Sequence, residues 1–184
     1  MRDRVRALAV LALVFISSAI ARATVIAPAD LNELTISATA VVYARIADVR
    51  AVMTDDRRRI ETVIVAEAVG YMKGDLGRTI VFKVPGGQVG AYRTVMVGAP
   101  SFNQGDEVVL FLGTRGPALP YLVGFSQGVY RVRLDERTAT RMVTPPPAVS
   151  TGAATPLKRG TRTPMALEAF AAQVRALAQG GGAR

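Results

Sequence analysis

Cysteine and histidine are both absent from the 184 residues, and together these absences remove much of the chemistry open to a small domain. Without cysteine there is no disulfide, no thiolate ligand and no lipidated N-terminal residue, so packing alone has to hold the fold. Without histidine the commonest general base and the commonest metal ligand are both missing. A zinc site would be left with carboxylates, a poor donor set for that ion. Asp55-Asp56 and Asp106-Glu107 are not spaced as a calcium loop and read as turn-forming acids. No metal, no cofactor and no catalytic group is therefore expected.

What the chain does have begins at its N-terminus. Arg2, Arg4 and Arg6 precede an uncharged apolar run from Ala7 to Ala21, and Ala21-Arg22-Ala23 supplies small residues where a signal peptidase reads. Residues 1–23 thus form a signal peptide cleaved after Ala23. The apolar run is shorter than the roughly 20 residues that cross a bilayer as a helix. The mature chain is expected in the periplasm or secreted, with no membrane span. Loss of Arg2, Arg4, Arg6, Arg22 and Asp3 lowers the net charge of +9 by three. The remaining arginines are scattered apart from the run Arg57-Arg58-Arg59.

Hydrophobic residues make up 50% of the chain, which separates it from disordered sequences. Their pattern is mostly that of strands. Residues 39–53 are rich in Val, Ile, Ala and Tyr, with an alternation that slips near Ala47, the mark of a β-bulge in a bending strand. Residues 58–69 alternate again, and residues 79–84 stop at Pro85-Gly86-Gly87. Shorter runs follow at 92–97, 108–112, 121–125 and 129–134. Five or six antiparallel strands separated by Gly, Pro and Asp turns predict an all-β, OB-like barrel over residues 24–135. A short stretch from Pro28 to Leu34 suits one or two helical turns.

From residue 136 to 163 the texture is that of a linker rich in Pro, Thr and Gly. One helix is expected over 164–179, with Thr163 as its N-cap, Pro164 at the first position and Gly180 opening a flexible tail over 180–184. Leu167, Phe170, Val174 and Leu177 fall on one stripe of it. That stripe docks either on the chain's own barrel or on a partner.

A string of short blocks carries a resemblance. Val41-Val42-Tyr43-Ala44-Arg45-Ile46 comes first, then Gly70-Tyr71-Met72-Lys73-Gly74-Asp75 and Val84-Pro85-Gly86-Gly87-Gln88-Val89-Gly90. Pro100-Ser101-Phe102, Gly105-Asp106-Glu107-Val108-Val109-Leu110-Phe111-Leu112, Gly124 and Gln127-Gly128-Val129-Tyr130-Arg131-Val132 complete it. The order resembles a family of uncharacterised secreted bacterial proteins, a likeness that implies export but no activity. More distantly the plan is similar to the netrin-like modules of tissue inhibitors of metalloproteinases, which are OB-like barrels. Their inhibition depends on an N-terminal cysteine, and here the expected mature terminus is Thr24. That likeness implies a fold, with regulation of an extracellular protease as an alternative function.

Gly124-Phe125-Ser126-Gln127-Gly128 is a literal G-x-S-x-G, yet a serine hydrolase needs a base for Ser126 and a helix after the turn. The residues that follow alternate like a strand, and the only lysines available to replace histidine are Lys73, Lys83 and Lys158. The glycines read better as turn-formers. The glycine-rich stretch Gly86, Gly87, Gln88 and Gly90 lacks the ending of a phosphate loop. With Tyr92, Arg93 and Asn103 it belongs to a long loop on a rigid scaffold, where binding usually resides. Nucleic acid is not expected, because most aromatics lie within apolar runs that look like core. The reading is a non-enzymatic exported module that binds a protein or an envelope polymer, with the 86–103 loop and the helix stripe as its candidate contact surfaces.

Overall fold

The computed structural model describes residues 29–146 and 163–180. The expected signal peptide with its cleavage point, linker residues 147–162 and tail residues 181–184 lie outside the described residues.

The first helix, α1 (Leu31–Ser37), starts at Asp30, whose carboxylate accepts the Glu33 N–H at 2.7 Å. Its other end is capped by a lysine from elsewhere in the chain. Lys73 Nζ donates to the carbonyls of Thr35, Ile36 and Ala38 at 2.7, 3.3 and 2.6 Å. A cation on the last carbonyls of a helix satisfies orphan acceptors and complements the dipole.

Strands β1 (Ala40–Met53) and β2 (Ile60–Lys73) form a long antiparallel hairpin. Its ladder slips between Ile46 and Asp48, so Ala47 is a bulge, as the broken alternation foretold. β3 (Thr79–Pro85) adds to β2, and β6 (Glu107–Gly113) adds to β1. β8 (Val129–Asp135) and β9 (Thr140–Thr144) extend the sheet beyond β6, and β10 (Met165–Ala166) ends it. β7 (Tyr121–Leu122) pairs with the far end of β6. β4 (Gly87–Val89) and β5 (Tyr92–Thr94) make a separate two-stranded ribbon.

The mostly antiparallel β architecture with one C-terminal helix agrees with the sequence. Two finer expectations do not hold. The sheet is open, with β10 and β3 as unpaired edges in the order β10-β9-β8-β6-β1-β2-β3. It curls enough to bring β7 against β3, but no hydrogen-bonded pair closes it. Strands also outnumber the five or six expected, because β9 continues the sheet past Asp135 into the stretch read as linker and β10 occupies the first positions of the stretch read as helix.

Each face of the sheet has its own core. Val42, Ala44, Ile64, Phe82 and Leu110 share one face with Phe102, which arrives from the loop before β6. Phe82 and Phe102 meet edge to face with centroids 5.6 Å apart. Val41, Val109, Phe111, Tyr130 and Val143 line the other face beneath α1 and the second helix, α2 (Leu167–Gly180). This second helix begins later than Pro164, because Met165 and Ala166 pair with Val143 and Met142. Thr163 and Pro164 therefore precede a bridge strand and do not cap the helix. Phe170 and Val174 are buried among Phe111, Tyr130 and their neighbours, with Leu167 and Leu177 packed at the margin. The helix stripe is engaged by its own sheet and is no free contact surface.

Candidate functional site

The chain leaves β3 at Pro85 and turns back across the tip of the β1–β2 hairpin. Gly86 N–H donates to the Ile60 carbonyl at 2.8 Å, and Thr62 Oγ1 donates to the Gly86 carbonyl at 2.7 Å. Gly87 lies so close to the sheet that a Cβ there would stand 2.7 Å from Thr62 Oγ1 and 3.0 Å from Ala51 Cβ. These contacts lay the β4–β5 ribbon on the hairpin tip. The ribbon pairs Gly87 with Thr94, Gln88 with Arg93 and Val89 with Tyr92, turning at Gly90.

Between ribbon and sheet lies a cleft of about 280 Å³, walled by Val49, Ile64, Val84, Met96 and Phe102, with Arg93 on its ribbon side. Outside it is a lip of large apolar side chains. Tyr92, Val95, Met96 and Val97 are 70%, 71%, 49% and 89% exposed. Lone exposed apolar residues are ordinary; four within six positions form a patch that asks for an explanation.

Of the residues expected at this site, Gly86, Gly87, Tyr92 and Arg93 come together at the cleft and lip. Gln88 and Gly90 occupy the outer part of the ribbon, joined by a 3.3 Å hydrogen bond from Gln88 Nε2 to the Gly90 carbonyl. Asn103 does not join them. Its N–H donates to Asp106 Oδ2 at 2.9 Å, and it lines a polar notch with Arg131, Arg133 and Arg141. Arg131 anchors this return of the loop. Its guanidinium donates to Asp106 at 2.6 Å and to the Ser101 carbonyl, and lies 5.4 Å from the centre of the Phe102 ring. Val95, Met96 and Val97 carry no site signal in the sequence, because an apolar run at 92–97 reads simply as a short strand.

A second polar cluster lies on the helix side of the sheet. Tyr43 on β1 donates its hydroxyl to Glu107 on β6, and Arg141 Nε on β9 donates to the same carboxylate oxygen at 3.1 Å. Burial first, then the hydrogen bond and charge of Glu107, push the Tyr43 hydroxyl up to about 12. The Tyr43 hydrogen bond is the main cause that holds Glu107 below the usual carboxylate range, helped by Arg141. Each group is satisfied by the others, so the cluster ties three strands together. A tyrosine whose pKa is raised by folding favours the native state below its unfolded value near 10, and that advantage disappears as pH rises to about 12. Absorbance titration of the native protein should show one tyrosine ionising near that upper value, and Tyr43→Phe should remove the step. An unchanged titration in the variant would refute the assignment.

Ser126 sits in a single 3₁₀ turn, Phe125–Gly128, which runs directly into β8. Gln127 Oε1 accepts the Ala29 N–H at 2.7 Å, and a Cβ on Gly128 would collide with the Val123 carbonyl oxygen. The motif is thus a tight corner joining the N-terminal segment to the sheet. Lys73 is occupied by three carbonyls and Lys83 by Glu61 at 3.1 Å, while Lys158 lies outside the described residues. Among the described residues, no three His, Cys, Asp or Glu side chains are grouped to hold a metal ion. None of the described helices is long and apolar enough to cross a membrane. No protein-family profile, curated protein or solved structure matches the chain.

Proposed function

We propose that this chain is a non-enzymatic, exported binding module that contacts a component of the cell envelope through the lip at residues 92–97. One observation carries the reading: Tyr92 on β5 and Val95, Met96 and Val97 in the chain just after it stand exposed beside a ribbon whose entry at Gly86 is pinned to the sheet. Burying such side chains in a contact is worth about 1.5–3 kcal/mol each, a gain the unbound chain leaves unrealised. A rigid scaffold presenting an exposed loop is a common arrangement for recognition. The cleft behind the lip adds room for a side chain or another small apolar group.

A photo-crosslinking residue tests this directly in the native envelope. Placed at Val97, it is expected to capture an envelope component in far higher yield than when placed at Leu134, which is also exposed but lies on β8. Equal yields at the two positions would sink the contact-site reading.

A further inference from the structure

We infer that the occupant of the lip is the surface of an anionic lipid bilayer. This rests on the reading of the lip as the contact surface and adds what it contacts. The ribbon is seated on Ala51, Ile60 and Thr62, so it shares one end of the molecule with the turn that joins β1 to β2. That turn carries Arg57, Arg58 and Arg59, all exposed, and Arg93 is exposed on the ribbon at the cleft.

The acids of this end do not cancel those charges. Asp48 is paired with Arg50 at 2.9 Å and Glu61 with Lys83 at 3.1 Å. Asp55 and Asp56 then remain against four arginines, a local excess of positive charge. Asp56 is also held inside the turn, where it accepts from the Thr54 hydroxyl and the Arg58 N–H.

An apolar tip flanked by cations has the two features that peripheral membrane attachment needs. Aliphatic side chains enter the acyl boundary, arginines attract anionic headgroups, and neither term alone holds a protein firmly. Tyr92 has the amphipathic shape that favours the headgroup level. Val95, Met96 and Val97 are consecutive and exposed, with Val95 and Met96 at the cleft and Val97 the most open of the three, and together they form a short apolar tip. Such a tip suits a fluid surface.

The test uses the chain from Thr24 onward, which keeps every buried residue of the described structure. Flotation with vesicles of about one-third phosphatidylglycerol in phosphatidylcholine should recover the protein, and about 0.5 M salt should release much of it. Val95→Asp with Val97→Asp should lower partitioning about tenfold or more. Arg57→Ser, Arg58→Ser and Arg59→Ser together should lower it about fivefold per arginine and flatten the salt dependence. These residues are exposed, so an unchanged urea midpoint should accompany each loss. Equal partitioning onto pure phosphatidylcholine, or no effect of either variant, would overturn the inference. Absence of vesicle binding alongside a protein crosslinked at Val97 would also overturn it, while leaving the lip as a protein contact. Loss of both vesicle binding and Val97 crosslinks would remove the two readings together.

Discussion

Phe170→Ala is expected to destabilise the native state by about 3–5 kcal/mol, lowering the melting temperature by about 10 °C or more. Phe170 is 3% exposed, and its ring packs on Tyr130 and Phe111 with centroids 5.1 and 6.5 Å away. Phe111 and Tyr130 themselves lie 5.5 Å apart, so the three rings form one aromatic cluster between α2 and the middle of the sheet. Cutting Phe170 back to Cβ leaves a cavity that the sheet beneath cannot close, because β6 is held between β1 and β8. Leu177, only partly buried at the margin, provides the comparison. Its alanine variant should cost less than half as much. Denaturant unfolding followed by far-UV circular dichroism measures both. A loss under about 1 kcal/mol for Phe170→Ala would mean that the helix is not docked in solution. By the same reasoning a chain ending at Asp135 should not fold as a unit, since it lacks Val143, Phe170 and Val174.

Gly74→Ala should cost about 3 kcal/mol, for two additive reasons. Gly74 has φ +61, a conformation that costs an L-residue with a Cβ about 1–2 kcal/mol. The added Cβ would also run into the Thr39 carbonyl oxygen and stand 3.3 Å from Ala40 Cα. Both neighbours are backbone, so no side chain can swing away, and the relief has to come from moving the start of β1 or the end of β2. Lys73 would move with that shift, loosening its grip on the α1 carbonyls. Gly77 separates the two causes. Its φ is +85, yet nothing lies within 4 Å of its missing Cβ. Gly77→Ala should therefore show the conformational cost alone, about 1 kcal/mol. Urea midpoints for the pair check the difference, and equal losses would refute the steric half of the argument.

These two positions also show which parts of the structure were legible in the sequence. Gly70-Tyr71-Met72-Lys73-Gly74-Asp75 looked like a signature, and it has a structural explanation. Tyr71 donates to the Gly77 carbonyl at 2.7 Å, Asp75 accepts the Gly77 N–H at 2.7 Å, and Lys73 caps α1. The long strands and the bulge at Ala47 were readable because period-2 alternation is a local property of the chain. Whether the sheet closes was not readable, because that depends on which edges meet. β9 was hidden because only Val143 of its five residues is buried, and prolines follow it directly. β10 was hidden because Thr163-Pro164 has the form of a helix start, while pairing of Met165 and Ala166 with β9 is a long-range event. The lip is half legible: the glycines mark the 86–103 loop as a contact surface, but its run 92–97 reads only as a short strand. Sequence shows that Val95, Met96 and Val97 are hydrophobic, and only the folded chain shows that they stay exposed.

Phe111 and Tyr130 lie on β6 and β8, but their cover comes from elements far from them in sequence, α1 before β1 and α2 after β10. A chain made from its N-terminus onward therefore has these strands ready long before their last partner exists. Until the segment through Gly180 is free to fold back, Phe111, Tyr130 and Val143 remain open on one side. Completion of this face is tied in this way to the arrival of α2.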